Sequence, residues 1–174
     1  LKKLDFVPLF VFLNHHFWNG LAGHAKSLMK LIGTLVSQDE GLNEGLKEIG
    51  KEVINYLLRT DNGPRILIDI KHMSPLCRQE FYAFIKTKYW TKNDKFPLVC
   101  SHTGIVSKRR TLNALIKQDD DAELVDDTNY LHENSINLCE EDVLIIAETN
   151  GLIGLQLDEK RIAGNKIITI IKND

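Results

Sequence analysis

The sequence predicts an α/β protein with a parallel sheet, and two features lead to this prediction. Short runs of branched apolar residues alternate along the chain with longer segments of helical periodicity. This alternation is typical of strand–helix–strand units, whose strands run parallel. Three of the apolar runs also end close to a histidine, at His15, His72 and His102. Since the carboxyl ends of parallel strands share one edge of a sheet, the functional groups are expected there.

Local signals place the individual elements. Apolar runs predict strands over 7–14, 65–70, 97–101 and 152–157. The clearest helix covers 46–58, where apolar residues recur at spacings of three and four. Ser74 and Pro75 predict the start of a second helix, because serine caps helices and proline suits the first turn. Further helices are expected over 106–116 and 140–149.

Length, composition and charge restrict the class of protein. The 174 residues suffice for a single domain, 1–174, with its own core. The net charge of −2 gives no support to nucleic acid as a partner. The longest apolar run, 6–13, is far shorter than the roughly 20 residues of a membrane-spanning helix. The acidic stretch 117–134 is expected to be a solvated insertion loop, because it lacks the ligand alternation and glycine of a calcium loop.

The three cysteines are odd in number and widely spaced. They are Cys77, Cys100 and Cys139, and none belongs to a CxxC pair. Free thiols in a reducing compartment are the simplest interpretation, which favours a cytoplasmic location.

Histidines are the strongest candidates for chemistry. His72 and His102 follow consecutive predicted strands, and neighbouring strands lie about 4.8 Å apart, so both imidazoles could bind one zinc ion. The alternative is two unrelated polar residues at strand ends. His15 and His16 would point to opposite sides of an extended chain, so that one faces the site and the other packs.

Other polar residues have plainer expected roles. His24 and His132 lie in predicted loops and are expected at the surface. Asp69 would be buried within its strand and needs a partner, which Lys71 or a helix N-terminus could supply. The chain contains no nucleophile elbow, phosphate-binding loop, GxGxxG or HExxH motif.

Four blocks, taken in order, resemble the membrane dipeptidase (renal dipeptidase, peptidase M19) family. They are LNHHFWN at 13–19 with AGHA at 22–25, GLKEIGKEVI at 45–54, IDIKHMS at 68–74 and PLVCSHT at 97–103. The resemblance extends from Leu13 to Leu157. The family belongs to the metal-dependent amidohydrolase superfamily of TIM barrels, so the resemblance implies a barrel fold, two zinc ions and a small peptide substrate.

The resemblance also implies roles for individual residues. His72 and His102 match histidines that bind one zinc ion, and His15 matches a histidine that contacts the substrate and polarises the scissile carbonyl. Asn137 and its neighbours resemble a block whose arginine holds the substrate carboxylate. That arginine is replaced by Ile136 here, and Arg109 or Arg110 would have to substitute for it.

Several expected residues have no match in the sequence. No histidine is followed two positions later by aspartate, so the His-x-Asp of the family's first strand is missing. The bridging glutamate and the aspartate of the last strand also have no match. A full barrel typically needs about 250 residues. The chain therefore resembles the middle of a barrel, roughly the fourth to seventh strands, and is expected to be a piece of a longer product.

Three hypotheses follow. The first is a zinc-dependent dipeptidase-like hydrolase, or a segment of one. The second is a catalytically inactive binding or assembly module with an incomplete metal site. A partial barrel of about four strands exposes two sheet edges, so homo-oligomers are expected in either case. The third is a flavodoxin-like domain that binds a phosphate-containing ligand, although no glycine-rich loop follows the first strand.

Overall fold

The computed structural model describes residues 1–28, 36–106, 108, 110–117 and 134–157. Its centre is a four-stranded parallel sheet, which confirms the predicted α/β class. The strands are β1 Phe10–Phe12, β2 Leu67–Asp69, β3 Val99–Thr103 and β4 Leu152–Leu155. The helices are α1 Glu48–Leu58, α2 Pro75–Lys88, α3 Leu112–Ile116 and α4 Glu140–Glu148, with a short 3₁₀ turn at Trp90–Lys92.

The strands lie side by side in the order in which they occur along the chain, β1-β2-β3-β4. Phe12, the last residue of β1, lies opposite Asp69, the last residue of β2. Asp69 in turn lies opposite Val99 at the start of β3, so β3 extends beyond its neighbour. The residues that follow β1 and β2 therefore meet the second half of β3 at one edge of the sheet.

The start of α2 is as predicted. The Ser74 hydroxyl accepts a hydrogen bond from the Cys77 amide at 2.9 Å, and Pro75 occupies the first turn. The helix predicted over 106–116 is much shorter, because it begins only at Leu112. The amide of Val106 donates instead to the carbonyl of Leu138 at 2.9 Å, which ties this segment to the start of the next unit.

A buried ion pair joins α2 to α4. The side chains of Arg78 and Asp142 are 1% and 0% exposed, and Nε lies 3.2 Å from Oδ1 without the alignment of a hydrogen bond. The Tyr82 hydroxyl donates to the same carboxylate at 2.9 Å, and the guanidinium donates to the carbonyls of Ser135 and Asn137. Since a buried charge is costly without a partner, this network fixes α2 against the chain beside β3.

The three cysteines are free and buried, which confirms the prediction of free thiols. Among the helices of the described residues, none is both long enough and apolar enough to cross a bilayer. The predicted insertion loop 117–134 lies outside the described residues except for its two ends, and so do Arg109 and His132.

Candidate functional site

Four imidazoles gather at the carboxyl edge of the sheet. The ring centroid of His72 lies 4.1 Å from that of His15, 5.0 Å from His16 and 5.4 Å from His102. Phe12, at the end of β1, contacts three of these rings at centroid distances of 5.8 to 6.1 Å. The sequence predicted that the strand ends would bring His15, His72 and His102 together, and the structure places them so.

The expectation that His15 and His16 point to opposite sides is wrong. Their ring centroids are 3.8 Å apart, and both lie beside His72. The expectation assumed an extended chain, but β1 ends at Phe12 and the backbone then turns. Both imidazoles therefore reach the same side, and His16 is a site residue that the sequence reasoning missed.

His72 is held in an unusual backbone conformation. Its φ is 72°, a left-handed value that costs an ordinary L-residue on the order of 1–2 kcal/mol. Such strain persists only where the surrounding structure imposes it, and it is commonest at functional sites. The loop after β1 contacts this backbone, since the Ala25 amide donates to the His72 carbonyl at 2.9 Å.

The His72 side chain is buried, and its ring nitrogens are not hydrogen-bonded within the described residues. It is 4% exposed, and neither ring nitrogen has a hydrogen-bond partner among the described residues. Burial, reinforced by the neighbouring His15 and Lys71, lowers the pKa of His72 to about 2. The ring is therefore neutral near pH 7, which is the form that binds a metal ion.

Side chains of the loop hold His16 in place. The Ser27 hydroxyl contacts His16 Nδ1 at 2.7 Å. The Gln38 amide nitrogen donates to Ser27 Oγ at 2.9 Å and also to the His16 carbonyl. Asn14 anchors the loop by donating to the Gly23 carbonyl at 2.8 Å. His16 thus rests on a buried polar network, since Ser27 and Gln38 are 5% and 8% exposed.

His102 lies within β3, whereas the predicted strand ended at Ser101. Its Nδ1 contacts the Ser101 hydroxyl at 2.8 Å. The pairing of β3 with β4 is irregular between Cys100 and Thr103, and Gly154 makes this possible. A Cβ at Gly154 would lie only 1.9 Å from the Ser101 carbonyl oxygen. The missing side chain lets β4 approach the backbone that carries His102.

Asp69 is the last residue of β2, three positions before His72 in the sequence, and it is fully buried. Its Oδ1 accepts hydrogen bonds from the backbone amides of Lys71 at 3.0 Å and Ser101 at 3.2 Å. The predicted partner is therefore partly right, since Lys71 contributes a hydrogen bond through its amide. The second carboxylate oxygen, Oδ2, is buried and has no hydrogen-bond partner among the described residues.

Other predicted positions fall elsewhere. His24 is completely buried, so its expected surface location is wrong; its ring nitrogens face the carbonyls of Ala25 and Glu40. Arg110 lies at the surface, where it pairs with Glu140 at 3.3 Å with 75% of its side chain exposed. Ile136, at the position of the family's arginine, is 2% exposed.

Three of the four histidines could together hold a metal ion. One nitrogen from each of His15, His16 and His72 lies within 4.8 Å of the other two. Buried imidazoles without hydrogen-bond partners are suitable zinc ligands, and His72 provides such a ring. The ring centroid of His102 lies 5.4 Å from that of His72, so His102 is one further potential donor beside this group.

Comparisons with known proteins identify no relative: no family model, curated protein or solved structure matches the chain. The fold and site therefore define it only as an α/β protein with a histidine cluster at the carboxyl edge of a parallel sheet.

Proposed function

We propose that this chain is a zinc-dependent dipeptidase-like hydrolase, or a segment of one. The observation that best supports the proposal is the environment of His72. Its imidazole is buried, and neither ring nitrogen has a hydrogen-bond partner among the described residues. Its backbone is in the strained left-handed conformation. His72 lies among three further histidines at the edge of the sheet where α/β enzymes bind their substrates.

The sheet order supports a barrel segment. Each described strand pairs with the next along the chain, always in parallel, as consecutive strands of a (βα)8 barrel do. A flavodoxin-like domain reverses its strand order at the point where the ligand binds. The four described strands contain no such reversal, which favours the barrel over that alternative.

In the proposed site, His72 and His102 hold the metal ion. A bound zinc ion would polarise a peptide carbonyl and make a bound water acidic. His15 is exposed and close to His72, so it can donate a hydrogen bond to the oxygen that gains negative charge. Phe12 packs edge-on against His15, His72 and His102, which places an apolar side chain beside the proposed site.

A catalytically inactive binding module is the second candidate, and Ile136 favours it. The position where the resemblance expects an arginine holds a buried apolar side chain, and Arg110 is paired with Glu140 at the surface. A substrate carboxylate would then need another partner. Binding of a dipeptide without hydrolysis by the zinc-loaded protein would support this candidate.

Metal content and dipeptide hydrolysis test the proposal together. We expect the purified chain to bind zinc. We also expect dipeptide hydrolysis, by the chain or by a longer form that supplies the missing ligands, and reversible loss of this hydrolysis on chelation. His72→Ala should reduce the zinc stoichiometry because it removes the central ligand. Leu155→Ala, on an exposed part of β4, is the matched control and should bind zinc normally. Zinc stoichiometry unchanged by both His72→Ala and His102→Ala would refute the ligand assignment.

A further inference from the structure

We infer that His16 is a metal ligand, and that His15, His16 and His72 form a three-histidine site for one divalent ion of the zinc class. This site would replace the His72–His102 pair of the proposed hydrolase, with His15 as a ligand and not as a substrate contact. The resemblance gives His16 no role. The site needs no donor from outside the described residues, so the inference holds whether or not the chain hydrolyses dipeptides.

The three rings are close enough for their nitrogens to bind one ion after a small movement. Their ligand nitrogens all lie within 4.8 Å of one another. Nitrogens that bind one tetrahedral zinc ion at about 2.0–2.1 Å are separated by about 3.3 Å, so the largest gap must close by at most about 1.5 Å. His15 is exposed and His16 is half-buried, so rotations of their side chains can supply this movement while buried His72 stays in place.

Hydrogen bonds from Ser27 and Gln38 can orient His16 for metal binding. A metal-binding histidine is normally oriented by a hydrogen bond from its other ring nitrogen. Ser27 Oγ lies 2.7 Å from His16 Nδ1 and already accepts a hydrogen bond from Gln38. A hydroxyl oxygen has two lone pairs, so it can also accept the Nδ1 proton. In that tautomer the lone pair is on Nε2, which becomes the ligand atom.

The donor chemistry determines the kind of ion. Three imidazole ligands favour zinc, cobalt, nickel or copper over magnesium or calcium, which prefer oxygen ligands. Three protein ligands also leave one tetrahedral position open, as in zinc sites that bind a water or a substrate. His102 is not part of the group of three, and its Nδ1 contacts Ser101.

Cobalt titration of the full chain tests the inference. We expect about one equivalent of Co²⁺ to bind, with the visible absorption of a four- or five-coordinate nitrogen site. His16→Ala should weaken binding at least about tenfold, the effect of losing part of a metal site. Leu155→Ala, on an exposed part of β4, is the matched control and should change the affinity less than about threefold. Wild-type affinity in a folded His16→Ala variant overturns the inference.

Ser27→Ala is a second test variant. It keeps every imidazole, so it tests the inference even if His16→Ala does not fold. Ser27→Ala should weaken Co²⁺ binding about 10-fold to 100-fold, and Ser27→Thr should restore it, because threonine retains the hydroxyl. If His16→Ala does not fold, unchanged binding by Ser27→Ala overturns the inference. Loss of Co²⁺ by His102→Ala but not by His16→Ala would support only the dipeptidase-like ligand pair. Dependence on His16 without any dipeptide hydrolysis would refute the proposed hydrolase and leave this site standing.

Discussion

At the scale of single residues, two features of His72 lower the stability of the fold. Its backbone is left-handed, and its ring is buried without hydrogen bonds from the described residues. An unpaired buried polar group costs about 1–3 kcal/mol, in addition to the backbone strain. A residue selected for stability alone would be glycine or asparagine. Binding of the proposed metal ion by the ring nitrogens of His72 would offset the second of these costs.

The strain at His72 can be measured with two substitutions. We expect His72→Gly to be more stable than His72→Ala by about 1 kcal/mol, because only glycine adopts a φ of 72° without a steric penalty. Urea denaturation of the metal-free proteins gives the comparison. The same pair at His15, whose φ is not positive, is the control, and there alanine should be at least as stable as glycine. Equal stability of the two His72 variants would contradict the strained backbone.

At the scale of elements, the site depends on how β3 meets β4. The pairing is irregular between Cys100 and Thr103, the part of β3 that contains His102. Gly154 fills the opposite position on β4, where a side chain would collide with the Ser101 carbonyl. One glycine on β4 therefore helps to set the position of an imidazole on β3.

Gly154→Ala tests this dependence. The added Cβ would lie 1.9 Å from the Ser101 oxygen, and the strands must separate to admit it. We expect a loss of about 1–3 kcal/mol in the free energy of unfolding, together with a shift of the His102 ring resonances in NMR spectra. Leu155→Ala, on the same strand but 63% exposed, should cost about 0.5 kcal/mol or less. A variant as stable as the wild type, with unchanged His102 resonances, would show that the contact is not restrictive.

At the scale of the whole molecule, the sheet has two edge strands. Within the described residues, β1 pairs only with β2 and β4 only with β3. Leu152 and Leu155 on β4 are 61% and 63% exposed. Unpaired strand edges with apolar side chains tend to pair with other chains.

We therefore expect the isolated chain to self-associate. Light scattering should give a mass above the 19.9 kDa of one chain. Leu155→Lys should shift the distribution towards the monomer, because a charge on an edge strand opposes pairing. A stable mass near 20 kDa for the wild-type protein would contradict this expectation.

Local sequence patterns are sufficient to predict the class of fold and most of the described elements. Branched apolar runs located all four strands, and Ser74 with Pro75 located the start of α2, because these signals depend on nearby residues only. The strand ends also identified three of the four clustered histidines. The alternation of strands with helices implied parallel pairing, so the convergence of His15, His72 and His102 at one edge followed from local pattern.

Other features of the site depend on contacts between segments that are distant in the sequence. The rings of His15 and His16 lie on one side because the chain turns after Phe12, and the partners that hold this turn are distant in sequence. Ser27 and Gln38 support His16 from 11 and 22 residues away. His24 is buried and Arg78 is paired with Asp142 for the same reason. Burial and side-chain contacts depend on segments brought together by folding, and no local pattern in the sequence records them.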